Sequence, residues 1–336
     1  MYPLDAGRWG PTVRIASLRD ELRRLVDLDL VAGYRPSRRA ALARYAFSGR
    51  LRGLDGIYVE SSTFLPAEAD LAFLGLAKAL GTPVLTYVRD AYQLFGDYEL
   101  PLTLRGRMAT AAFRPMIRAL RAVSSRMAVP SAGLAAALGF EDAALLPPGS
   151  PAPVDVVRTP GANRLLFVGD ARLAAHGADR LIVAVGRARE KGTAVELEIV
   201  SRPGQEPPGS LPSWTHVVRA EGTQIIDRLP GIVASVIPRP RGAYNDLALP
   251  VKLYEYLAYG RPLIVTDCTE QARVVTSAGA GVVTGDDPGA LAEGIARVVN
   301  ARADQVQEWE ANATAAARTA SWEDRARQIV ELMTAS

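Results

Sequence analysis

The side chains best placed to do chemistry lie between Leu249 and Asp267, in the stretch LPVKLYEYLAYGRPLIVTD. Pro250 suits the first turn of a helix, where its missing N–H leaves no bond unmade. Lys252 and Glu255 follow three residues apart, on one face of that helix. Gly260 and Pro262 end the helix sharply, and LIVT then makes a buried strand. A helix N-terminus beside a sheet edge offers free N–H groups and a positive dipole end, which suits a diphosphate. A glutamate about one and a half turns in can accept hydrogen bonds from both hydroxyls of a ribose, as an acid does in dinucleotide folds. Lys252 adds positive charge there. Spacing alone also fits an ordinary amphipathic helix with a surface salt pair.

Other chemistries find less support. The single cysteine, Cys268, excludes an internal disulfide and a thiolate metal cluster. With His176 and His216 the only histidines, a histidine-based zinc site is disfavoured. No G-x-S-x-G elbow supports a Ser-His-Asp hydrolase. Hydrophobic residues make up 49% and charged residues 22% of the 336, as expected of a globular chain with two domains of roughly 150 residues each. The longest apolar stretch, residues 71–88, is interrupted by Lys78, Gly81 and Pro83, so it falls short of the ~18 residues of a membrane span. Asp5 and Arg8 occupy the place of a signal peptide's apolar centre, and the expected location is cytoplasmic.

Net charge is only +3, but the arginines are unevenly placed. Arg35, Arg38, Arg39, Arg44, Arg50 and Arg52 lie in an acid-free block, residues 30–54. Arg105, Arg107, Arg114, Arg118, Arg121 and Arg126 lie in a second, residues 101–140. The asymmetry points to phosphates or a membrane surface as partner of the first half, or to plain solvated arginine. At 100° per residue Arg107, Arg114, Arg118 and Arg121 share a narrow arc, with Met108, Ala112, Met116, Leu120 and Val123 expected opposite and a kink or break expected at Pro115. No nucleic-acid module is visible.

These groups must be held by alternating strands and helices, which argue for α/β layers with parallel sheets. In the first half GIYVE (56–60), PVLTYV (83–88) and residues 126–129 read as strands, and residues 67–80 as a helix. The Pro- and Gly-rich PPGSPAP marks a linker. The second half restarts at RLLFVGD (164–170) and continues with strands VELEIV, HVVR, IVASVI, PLIVTD and GVVT, helices between them, and a last helix from Trp322 to Met333. Arg239 and Arg241 follow IVASVI directly, where parallel sheets bind ligands, although both also suit the surface. The chain opens at MYPLDAG as if after a first strand that is not there.

The Leu249–Asp267 segment resembles the P-x-K-x-x-E-Y-x-A-x-G-x-P signature of retaining GT-B glycosyltransferases of the large family 4 group. RLLFVGD, SAGAGVVTGDDPGALAEGI (277–295) and SWEDRARQIVEL (321–332) resemble further parts of that family's second domain, in the same order. TPVLTYVRDAYQLF (82–95) and LLPPGSPAP resemble its cleft-lining turn and linker entry. The resemblance implies a GT-B fold, with two Rossmann-like domains, parallel sheets facing a cleft and a C-terminal helix crossing back to the N-terminal domain. The implied boundaries are 1–150 for an acceptor domain, 151–162 for the linker, 163–318 for the donor domain and 319–336 for the crossing helix.

By the same resemblance a sugar would pass from a nucleotide-diphosphate donor to an acceptor hydroxyl, with retention and without metal or cofactor, in cell-envelope or glycan biosynthesis. Glu255 would bind the donor ribose, with Lys252, Pro250 and Leu249 at the nucleotide or its phosphates. Asp90 and Arg89, the latter where the family has a cleft histidine, would flank the reacting sugar. Gly7 and Gly10 would form a phosphate- and acceptor-facing loop. The sequence departs from the pattern at the diphosphate. Leu247 stands where the family often has the first glutamate of an E-x7-E pair, and Asp170 and His176 replace its usual basic pair. Arg172, His176, Arg239, Arg241 and Lys252 are the available substitutes. The expected partners are a nucleotide sugar, a glycan or lipid-linked acceptor and an anionic membrane touched peripherally by the N-terminal domain, with no nucleic acid. The departures keep two alternatives open, a degenerate GT-B protein that binds without catalysis and a nucleotide-sugar epimerase. Loops 91–106 and 201–215 would set specificity.

Overall fold

The computed structural model describes residues 10–33, 35–61, 68–95 and 104–334. The chain forms two compact units, Met1–Gly149 with Trp322–Ser336, and Ser150–Ser321. The expected missing strand before Gly10 lies outside the described residues.

Unit 1 begins with helices α1 (Gly10–Leu25) and α2 (Arg35–Phe47), which the hydrophobic pattern does not announce. Strand β1 (Ile57–Glu60), α3 (Glu68–Ala79), β2 (Val84–Tyr87), α4 (Leu104–Val123), β3 (Arg126–Val129), α5 (Ala132–Leu138) and β4 (Ala144–Leu145) follow. The four described strands are parallel and lie in chain order, β1-β2-β3-β4. Phe113, Ile117 and Leu120 of α4 pack with Leu74, Val84, Val88 and Met127. Pro115 does not break α4, which runs unbroken through it. Its ring lies on the exposed side, where water can take the carbonyl it leaves unbonded. The apolar face of α4 agrees with expectation at the buried Leu120 but differs at Met108, which is 64% exposed, and the buried stripe takes in Phe113 and Ile117.

Unit 2 contains β5 (Arg164–Val168), α6 (Ala178–Glu190), β6 (Glu196–Val200), β7 (Thr215–Val218), a short α7 (Thr223–Ile226), β8 (Ile232–Ile237), α8 (Val251–Ala258), β9 (Leu263–Thr266), α9 (Thr269–Ala278), β10 (Gly281–Thr284), α10 (Pro288–Val299) and α11 (Ala303–Arg318). Its six described strands are parallel, in the order β10-β9-β8-β5-β6-β7. Both faces are covered, which is why β8 and β9 are buried throughout and read as continuous apolar runs. Leu165, Phe167 and Ile264 point to the layer of α6 and α10, while Leu166, Leu263 and Val265 point to the layer of α8 and α11. Residues 150–161 run along this unit, with Val154 N–H donating to Ala258 O at 2.9 Å and Arg261 Nη2 donating to Val156 O at 2.9 Å. The last helix, α12 (Trp322–Thr334), returns to unit 1 and packs on α1, β1 and β2.

Candidate functional site

In unit 2 the chain leaves β5 toward β6 and β7, and later leaves β8 toward β9 and β10. The loops after β5 and β8 therefore part in opposite directions, and the crevice at such a switch point is where open α/β sheets bind ligands. The two loops meet at Gly177, the N-cap of α6. A Cβ there would lie 1.8 Å from the Pro238 carbonyl oxygen, and the residue's φ is +75°. Only glycine permits that approach.

Helix α8 borders the crevice. Pro250 is its N-cap, one residue ahead of the first turn, and its carbonyl accepts the Leu253 N–H at 3.0 Å. Leu249 packs against the apolar layer beneath. The buried Tyr256 hydroxyl accepts the Val168 N–H at 2.7 Å, which ties α8 to the end of β5. One turn earlier, Lys252 sets its Nζ 2.3 Å from where a Cβ of Gly169 would be, with the Phe167 ring centroid 6.0 Å away. Glu255 stands three residues further along the same helix. Both charged side chains are half-buried, and neither makes a hydrogen bond or ion pair with any described residue. Burial pushes the Lys252 ammonium down to about 8, opposed by the charge of Glu255 and assisted by that of Arg239. Burial pushes the Glu255 carboxyl up, opposed by Lys252. Two opposite charges, half-buried and without hydrogen-bond partners among the described residues, keep their bonding capacity open, which marks a candidate site.

The remaining expected donor residues divide. Arg239 is half-buried at the end of β8. Its Nη2 donates to Asn245 Oδ1, its carbonyl accepts the Thr266 hydroxyl at 2.5 Å, and its charge reaches Lys252 and His176. His176 is in place but carries no charge near neutral pH. Burial and the charge of Lys252 lower its pKa to about 4. Its Nδ1 lies 2.9 Å from the Asp170 carbonyl, an acceptor, so Nδ1 is the donor and Nε2 an acceptor. Arg172 is exposed and already engaged, with Nε and Nη2 donating to the two Asp170 oxygens at 3.1 and 2.9 Å. Partial burial would raise Asp170, but these bonds outweigh it and hold the acid below the usual range. Arg241 is engaged too, bonding Asp246 at 2.8 Å and lying 3.6 Å from Asp267. Lys252, Glu255, Arg239 and His176 thus meet at one place, while Arg172 and Arg241 are held by their own acids.

In unit 1, Arg89 and Asp90 follow β2, half-buried, with Arg89 Nε donating to Asp90 Oδ2 at 2.5 Å. Gly7 lies outside the described residues, and Gly10 opens α1 instead of lying in a loop. Loop 201–215, expected to set specificity, begins at a cleft of about 500 Å³ that the sequence did not reveal, outside the carboxyl ends of β6 and β7 and lined by Ser201, Arg202, Arg219 and Glu221 among others. Arg202 Nε is 3.1 Å from Glu221 Oε1, and the buried Ser201 hydroxyl has no partner among the described residues. The cleft adjoins the crevice, since Gly169 and Ala171 donate to the carbonyls of Val200 and Gln205, each at 2.9 Å. Polar residues directly after two neighbouring strands were the available signal. Among the described residues no cluster of three metal-ligating side chains forms.

Residues 162–301 match the profile of the family described as Glycosyl transferases group 1. No curated protein matches the chain by sequence. Among solved structures, an alpha,alpha-trehalose-phosphate synthase (UDP-forming) from Burkholderia xenovorans, in complex with glucose-6-phosphate, is similar with TM-score 0.60 and 11% identity, over 98% of this chain and 79% of that one. A sucrose-phosphate synthase from Thermosynechococcus elongatus is similar with TM-score 0.63 and 16% identity, over 96% of this chain and 92% of that one. A TarM variant from S. aureus, in complex with Fondaparinux, alpha-GlcNAc-glycerol and UDP, has TM-score 0.54 and 12% identity, over 77% of this chain and 53% of that one.

Proposed function

We propose that this chain, with the fold of GT-B glycosyltransferases and a second unit of the group 1 type, transfers a sugar from a nucleoside-diphosphate donor to an acceptor hydroxyl. The observation that carries the reading is the pair Lys252 and Glu255, charged, half-buried and unpartnered among the described residues, at the switch point of the six-stranded sheet. Glu255 accepts hydrogen bonds from the ribose hydroxyls. Lys252, Arg239 and the N-terminus of α8 face the diphosphate, and the cleft at Ser201, Arg202 and Glu221 receives the base. The S. aureus TarM variant is in complex with UDP and the Burkholderia xenovorans synthase is UDP-forming, which supports this class of donor.

In the reaction the bond between the sugar's anomeric carbon and the β-phosphate oxygen breaks, and its electron pair stays on the diphosphate. The acceptor oxygen bonds to the anomeric carbon, and its proton passes to the departing phosphate. Charge grows on that phosphate as the bond breaks, so fixed positive groups lower the barrier most there. Retention of the anomeric configuration, work without a metal, and positions for Asp90 and Arg89 beside the sugar are taken from the family resemblance.

Calorimetry with UDP-, GDP-, ADP- and TDP-sugars tests the reading. One of them binds the wild type, and Glu255→Ala weakens that binding by about ten- to hundredfold. Failure of all four to bind would overturn it. Binding without transfer or donor hydrolysis would favour a degenerate GT-B protein.

A further inference from the structure

Unit 1 carries a feature that nucleotide-sugar chemistry does not use. Helix α4 presents Arg107, Arg114 and Arg118 to solvent, all three without a partner among the described residues. At 100° per residue they fall within an arc of about 40°. Arg121 at the edge of this arc is paired with Asp142 at 2.8 Å. The adjoining strip of the same helix exposes Leu104 at 76% and Met108 at 64%, and the exposed Pro115 lies further along it. Residues 101–140 hold no acidic side chain, so nothing on α4 itself neutralises the face. Lys78, from α3, adds another cation at the far end, donating to the carbonyls of Ala122 and Ser124 at 2.8 and 3.0 Å.

We infer that this face of α4 lies on an anionic lipid bilayer, with Leu104 and Met108 entering the boundary between headgroups and acyl chains and Arg107, Arg114 and Arg118 among the phosphates. Charge alone would suit any polyanion. The two large apolar side chains beside the arginines decide for the bilayer, because a lipid surface offers phosphate and hydrocarbon side by side. A polynucleotide backbone offers only the first. Attachment is at the surface, since no helix among the described residues is long and apolar enough to cross. The inference stands on unit 1 alone and does not depend on the nucleotide site of unit 2.

Sedimentation of the full chain with vesicles tests it. Vesicles of two parts phosphatidylcholine to one part phosphatidylglycerol carry the protein down at low salt, and vesicles of phosphatidylcholine alone do not. High salt releases it. At about fivefold per arginine near an anionic surface, Arg107→Glu, Arg114→Glu and Arg118→Glu together lower the partition coefficient by about a hundredfold or more. Leu104→Ser with Met108→Ser lowers it by about tenfold while the arginines remain. All five positions are exposed, so circular dichroism and melting stay as in the wild type. Equal binding of the wild type to the two vesicle types overturns the inference without any variant. So does indifference of the binding to either set of substitutions, or a preference for single-stranded RNA over the anionic vesicles. Loss of vesicle binding with nucleotide-sugar binding intact separates this surface from the proposed donor site.

Discussion

Two regions of the molecule hold charged side chains away from water, and they treat them in opposite ways. In unit 1, Arg38 of α2 faces Asp70 of α3, each side chain 8% exposed. Nε and Nη2 reach the two carboxylate oxygens at 3.3 and 2.8 Å, and Nη1 donates to the Gly33 carbonyl at 2.9 Å. The pair closes on itself and fastens two helices. In unit 2, Lys252 and Glu255 share one helix face, feel each other's charge and bond to nothing described. Removing charge from water is unfavourable unless hydrogen bonds replace the water. The first region supplies those bonds from within. The second leaves them unmade among the described residues, and on the proposed reading a ligand supplies them.

Substitutions in the two regions should therefore move different observables. The largest effect is expected from Asp70→Ala, which strands Arg38 in the interior and lowers stability in urea unfolding by about 3–5 kcal/mol. Nucleotide-sugar affinity of the folded protein stays as it was, and a matching loss of affinity would mean that the unit 1 pair is not purely structural.

Lys252→Met should do the reverse. Below pH 8 the lysine is charged both folded and unfolded, and the fold carries the full disadvantage of burying it. As pH rises from about 8 toward 10.5 the folded form sheds its proton first and the disadvantage fades. Lys252→Met therefore raises the melting temperature of the ligand-free protein at neutral pH by about 2–4 °C, while weakening diphosphate binding at least about tenfold. Wild-type affinity falls as pH passes upward through about 8, and the variant's does not. A lower melting temperature for the variant would show that Lys252 is structural. The smallest effect belongs to His176→Asn, which changes affinity at neutral pH by no more than about twofold, because the histidine it removes is neutral. A large loss would show that the ring is protonated in the complex.

Much of unit 2 is legible in the sequence because its strands are buried on both faces and stand out as unbroken apolar runs between helices. Unit 1 is less so. Helices α1 and α2 are polar on most sides and lack any run that separates them from loop. Lys252 and Glu255 could be singled out together because one helix carries both, and helical spacing is a local property. The engagement of Arg172 by Asp170 and the neutrality of His176 could not, since they depend on a turn that folds back and on burial beneath a second loop. Met108 went to the wrong side of α4 because the periodic pattern contains two apolar strips, and only packing selects the one through Phe113 and Ile117.

Gly169 differs from the other tightly placed glycines of unit 2 in what an added side chain would meet. At Gly177 and Gly281 an added Cβ would run into backbone, 1.8 Å from Pro238 O and 2.0 Å from Leu263 O, so drift at either position breaks the architecture and is removed by selection on folding. At Gly169 the first atom met is the mobile end of Lys252, at 2.3 Å. A side chain there is strained by the backbone, at a φ of +158°, but the first atom it displaces is the end of a flexible side chain and not a carbonyl of the sheet. On the proposed reading, relatives that have lost the diphosphate site should replace Gly169 before Gly177 or Gly281, where an added Cβ meets backbone.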